Sequence, residues 1–149
     1  MPTLDLDEAL RLIRTTPGYI EIAVELAQRA ADNRIIFNRV LEDRAQTSLA
    51  GVIALGPEAV QSSPLSLAQT LVHEHFHLHQ NPLQKTTSFW LGAISRTATM
   101  RRYEQPAYQA AIDFLETVKR AHPHLRAEAE NEQAAVRQVF ASNFGGALN

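Results

Sequence analysis

The chain has 149 residues, 45% of them hydrophobic and 20% charged, the size and balance of one globular domain with a substantial core. Lys and Arg number 14 against 16 Asp and Glu, a net charge of −2, which offers no electrostatic footprint for nucleic acid or an anionic membrane surface. Cysteine is absent, so disulfides and thiolate ligands are excluded and any transition metal must be held by imidazole and carboxylate.

The opening MPTLDLDEALRLIR is acidic before it is apolar and lacks the basic start and apolar core of a signal peptide. No run approaches membrane-spanning length, and the expected location is cytoplasmic. Asp5 or Asp7 is placed to cap a helix over Glu8 to Arg14, which Thr16-Pro17-Gly18 stops. A second helix is predicted from Tyr19 to Asp32, with Ile20, Val24, Ala27 and Ala31 at helical spacing and facing a sheet. Two short β-rich runs follow, Arg34 to Leu41 and Ser48 to Leu55, separated by the polar Glu42 to Thr47. They read as an antiparallel pair closed by Gly56-Pro57.

Ser63 then serves as cap and Pro64 as first helical residue, while Asn81-Pro82 is a stop, so Pro64 to Gln80 reads as one helix. Beyond it, Leu83 to Ser88 reads as loop and Phe89 to Arg102 as helix. Pro106 interrupts or starts the next segment, whose apolar stripe is Ala107, Tyr108, Ala111, Leu115 and Val118. His122-Pro123 closes that helix, and an alanine-rich amphipathic stretch runs from Leu125 to Phe140. With no repeat and no composition break, residues 1–149 read as a single domain.

The helix from Pro64 carries TLVHEHFHLHQNP, with four histidines in seven positions. At about 100° per residue, His73 and His77 lie about 40° apart and roughly 6 Å along the axis, within reach of one ion. Glu74 projects about 100° from His73, beside the metal but not on it. The segment thus satisfies H-E-x-x-H, whose chemistry needs two neutral imidazoles and a carboxylate base. His75 and His79 form a rival pair on the far side, near Ala68, but Phe76 stands where that pair would need its acid. Leu67, Leu71 and Leu78 on one shoulder, with Val72 and Phe76 on the other, favour His73 with His77 and an expectation of one zinc per chain. The bland alternative is a solvated helix face rich in imidazole.

A catalytic zinc takes three protein ligands and keeps one open position. Downstream candidates for the third are Glu104, Asp113, Glu116, His122 and His124. Glu104 is in phase with the stripe from Ala107 to Val118, whereas Asp113 lies off it. An acid continuing an apolar stripe is either buried with a partner or bound to a cation; the alternative for Glu104 is an ion pair with Arg101 or Arg102.

The order of elements, two short strands, then LVHEHFH, then a helix opening YEQPAY, resembles the gluzincin group of zinc metallopeptidases, the thermolysin-like clan. The resemblance covers about residues 35–115. It implies an α+β, zincin-like fold: a small, mostly antiparallel sheet packed on an N-terminal helix and the H-E-x-x-H helix, with a C-terminal helical part. It implies Zn2+ on His73, His77 and Glu104, the last followed by Ala107 as in the group, and Glu74 as general base and acid. A Tyr or His stabilising the oxyanion is implied too. Tyr103, Tyr108, His122 and His124 are candidates, and Tyr108 ranks first because it shares the inward stripe. The aspartate that many members carry four residues after the glutamate is here Tyr108.

The activity so implied is zinc-dependent hydrolysis of peptide bonds, endopeptidase ranked ahead of exopeptidase. Its partner is a peptide or protein substrate paired along a sheet edge offered by one of the two strands, Ser48 to Leu55 ranked ahead of Arg34 to Leu41, with Gly51 easing the approach. The alternative function is a non-catalytic zincin-like metal-binding or protein-interaction module.

Overall fold

In the computed structural model, which describes residues 2–80 and 98–149, the chain is mixed α+β and mostly helical. Its elements are α1 (Pro2–Arg14), α2 (Ile20–Ala31), β1 (Ile35–Phe37), β2 (Ala45–Thr47), β3 (Ile53–Leu55), α3 (Pro57–Val60) and α4 (Pro64–Leu78), then α5 (Ala98–Ala121), one 3-10 turn (Pro123–Leu125) and α6 (Arg126–Phe144). No described helix is long and apolar enough to cross a membrane. The predicted loop at 83–88 and the predicted helix at 89–97 lie outside the described residues; 98–102 are helical.

α4 begins where the sequence signals place it. Ser63 is extended and its hydroxyl accepts the Ser66 N–H at 3.2 Å, with Pro64 in the first turn. Every residue from Leu65 to Val72 is buried, because α1, α5 and β2 close on it from different sides. A helix enclosed all round need not be amphipathic. After Val72 the burial becomes one-sided, with Glu74 and His77 inside and His79 exposed, so the histidine segment is where this core helix emerges. It ends two residues earlier than predicted, at Leu78, with the His79 N–H bonded to the Phe76 carbonyl.

The sheet differs from the expected antiparallel pair. Its order is β1-β3-β2, with β1 parallel to β3 and β2 antiparallel to β3, so it is mixed and not mostly antiparallel. β2 lies inside the segment read as a polar connection. Only Ala45 and Thr47 face inward and Gln46 is exposed, too short an alternation to register as a strand. The antiparallel partner of β3 is therefore its hairpin neighbour, closed by a turn in which the Gly51 N–H bonds the Ser48 carbonyl and Gly51 has φ +80°. Gly51 serves that turn and not a substrate's approach: Arg29 Nη1 donates to its carbonyl at 2.7 Å. β3, central in the sheet, offers no free edge, which corrects the assignment of the substrate edge to Ser48 to Leu55.

Two helices are also placed differently. α1 starts at Pro2, so Asp5 falls in its first turn and not at the cap. α2 packs chiefly on α1, not on the sheet, and it is rotated from the predicted stripe. Ala23 and Leu26 are buried, whereas Ile20 and Val24 are 57% and 61% exposed. Tyr19, packed edge-on against Phe114 at 5.0 Å, sets that rotation from the helix start.

α5 runs straight through Pro106, which neither starts nor stops it. Burial of Ala107, Ala111, Leu115 and Val118 against α4 and α6 outweighs the roughly 3 kcal/mol that an interior proline costs. The predicted inward stripe is thus the buried face of α5, and it carries Glu104 toward α4.

Candidate metal centre

His73 and His77, one turn apart on α4, meet Glu104 from α5. The three pairwise distances are 3.2 Å between the two Nε2 atoms, 3.0 Å from His77 Nε2 to Glu104 Oε2 and 3.3 Å from His73 Nε2 to the same oxygen. Ligands about 2.0 to 2.1 Å from a tetrahedral zinc stand roughly 3.3 to 3.4 Å apart. The triangle therefore has nearly the dimensions that such an ion requires.

The hydrogen bonds around His77 bear on its protonation. Gln80 Nε2 donates to the Tyr103 carbonyl at 2.9 Å, which turns its Oε1 toward His77 Nδ1 at 2.5 Å. An amide oxygen only accepts, so Nδ1 carries a proton, and in the neutral imidazole Nε2 holds a lone pair. That lone pair faces the Glu104 carboxylate, a repulsive arrangement unless a positive charge lies between them. A second proton on His77 or a metal ion supplies it. Burial opposes charge on His77, yet its contacts with Glu104 raise its pKa above the ordinary histidine value. Burial likewise opposes charge on Glu104, but hydrogen bonds from His73 and His77 hold its carboxyl down to about 2. The cluster thus favours a positive charge at its centre, a second proton on His77 or a metal ion.

Gln80, three residues past His77 where α4 has just ended, carries no mark in the sequence of its contact with His77 Nδ1. Tyr103, on α5, stacks on His77 with ring centroids 4.7 Å apart. We expect Gln80→Leu to weaken zinc binding about 10- to 100-fold, read by competition with a coloured chelator. Gln80→Glu, which keeps an acceptor for Nδ1–H, should hold near the parent affinity.

Glu74 is buried beside the triangle, with Oε1 3.9 Å from His73 Nε2. Its Oε2 accepts the Thr47 hydroxyl at 2.5 Å. Thr47 lies on β2, and just before that strand Arg44 donates to Thr70 at 2.7 Å and also to Ser66. The edge strand is thereby fastened to α4 at both ends, and Thr47 fixes the carboxylate's orientation. Neither Thr47 nor Arg44 carries a sequence signal, because each acts through a contact made across 26 or 27 residues.

Tyr108 sits edge-on to His73, ring centroids 4.6 Å apart, and packs on Phe140 and Phe144. Burial first, then the charges of Glu104 and Glu74, push its phenol up to about 12, so it retains its proton across the neutral range. The other candidates are engaged elsewhere. Asp113 accepts from Gln109, Glu116 pairs with Lys119, and His122 and His124 line a separate cleft of about 420 Å³ beside α1. Among the described ion pairs, Glu104 meets the two histidines and neither Arg101 nor Arg102.

Comparison with protein-family models, with curated proteins and with solved structures found no match to this chain. The functional reading accordingly rests on the site itself.

Proposed function

We propose that this chain is a compact zinc-dependent peptidase of zincin type, related in its site plan to the gluzincins. The observation that carries the reading is the convergence of His73, His77 and Glu104 from two helices, with a buried carboxylate, Glu74, alongside but outside the triangle. Imidazole and carboxylate donors without thiolate suit zinc. Bound there, zinc would acidify a water and polarise a substrate carbonyl.

The chain's own groups then have separate tasks. Glu74, turned by Thr47 so that Oε2 is occupied, takes the proton of the attacking water on Oε1 and delivers it to the leaving amine. Tyr108, protonated throughout, is the side chain we assign to steady the developing oxyanion with its phenolic hydrogen. β2 pairs only with β3 among the described residues, and Thr47 on it reaches Glu74 of α4. It is the strand we assign to an extended peptide or protein substrate, by main-chain pairing that asks for no single sequence.

The test is hydrolysis of a mixed fluorogenic peptide library by zinc-loaded protein. Cleavage that 1,10-phenanthroline stops and added zinc restores is the expected result. A loaded, folded chain that cleaves none of the library would favour the non-catalytic metal-binding module, the reading in which the same triangle only holds its ion.

A further inference from the structure

α4 with its capping residue His79 presents two histidine pairs, and the second also meets a glutamate. His75 Nε2 lies 2.9 Å and His79 Nε2 2.8 Å from Oε2 of Glu25, which comes from α2. The two rings are 4.6 Å apart, and one donor atom from each of the three residues falls within 4.8 Å of the others. Residues two apart on a helix project about 200° from each other, so this group lies across α4 from the triangle of His73, His77 and Glu104.

Glu25 reaches the pair because of how α2 docks. With Tyr19 on Phe114 and with Ala23 and Leu26 buried, Ile20 and Val24 are left in solvent and Glu25 is turned toward the histidines, where both imidazoles converge on one of its oxygens.

We propose that Glu25, His75 and His79 form a second, exchangeable site for a divalent transition-metal ion. Two nitrogen donors out of three exclude calcium and magnesium, which take oxygen ligands, and suit zinc, nickel, cobalt or copper(II). The His79 side chain is 58% exposed and Glu25 33%, so the ion exchanges with solvent and water completes its shell. Phe76 occupies the place relative to His75 that Glu74 holds relative to His73, so no acid adjoins the site as a base and it binds without hydrolysing. Its occupation clips α2 to the helix that carries the first centre. The expected capacity rises from one ion per chain to two, and the inference stands whether or not the chain is a peptidase.

The experiment is metal content of the stripped full-length protein after equilibration at two buffered levels of free zinc, repeated with nickel and read by plasma mass spectrometry. At the higher level we expect two ions per chain, falling to one in His79→Gln and one in Glu25→Ala, with circular dichroism unchanged. A His73→Ala/His77→Ala variant should keep one ion, which adding His79→Gln removes. That outcome holds even if the first centre binds nothing. The proposal is overturned if His79→Gln and Glu25→Ala bind as many ions as the parent chain.

Discussion

Replacing Glu104 with alanine is expected to abolish zinc binding at the proposed centre while leaving α5 folded. Glu104 supplies the only carboxylate oxygen in the triangle, 3.0 and 3.3 Å from the two imidazoles, and without it two neutral donors face a dication. Outer partners of metal ligands are worth about 10- to 100-fold in affinity, and loss of a ligand should exceed that. Measured in a His79→Gln background, so that the second group contributes nothing, the variant should hold no zinc against a chelator that the parent resists. Glu104→Gln should fall between, because its amide oxygen coordinates without charge. Asp113→Ala and Glu116→Ala, altered at exposed positions on the same helix, should bind as the parent does.

Glu74→Gln should do the opposite: zinc retained, hydrolysis gone. Glutamine has the same shape and its amide oxygen can still accept the Thr47 hydroxyl, so the packing between β2 and α4 survives. It cannot take a proton from water. General bases contribute about 10²- to 10⁴-fold, and a loss of that size in kcat at unchanged metal content is the expected result. Residual activity equal to the parent's would remove Glu74 from the chemistry and with it the peptidase reading.

What could be read from the residues was whatever is encoded locally. The start of α4 is written in Ser63-Pro64, the stripe of α5 in five residues at helical spacing, and the position of Glu104 in its phase with them. The sheet was not readable in this way. β2 has three residues, two of them inward, and its pairing is decided by the turn through Gly51 and by Arg44 and Thr47 reaching α4. α2 offered two apolar faces, and a contact between Tyr19 and Phe114, 95 positions on in the chain, selects between them. Glu25 lies off the stripe of Ile20, Val24, Ala27 and Ala31, and only the rotated helix brings it to His75 and His79. Gln80 carries no mark of its role in the sequence, and in the fold it sets the tautomer of His77.

The central claim is that one zinc sits among His73, His77 and Glu104 with Glu74 outside its ligands. A structure of the zinc-soaked chain with an anomalous difference map at the zinc edge tests it most directly. The account predicts a peak bonded to Nε2 of both histidines and to the Glu104 carboxylate, with Gln80 still on His77 Nδ1. No peak among these three residues, with Glu104 paired instead to Arg101 or Arg102, would contradict it whatever the occupancy at Glu25, His75 and His79, and leave an unspecified metal-binding domain.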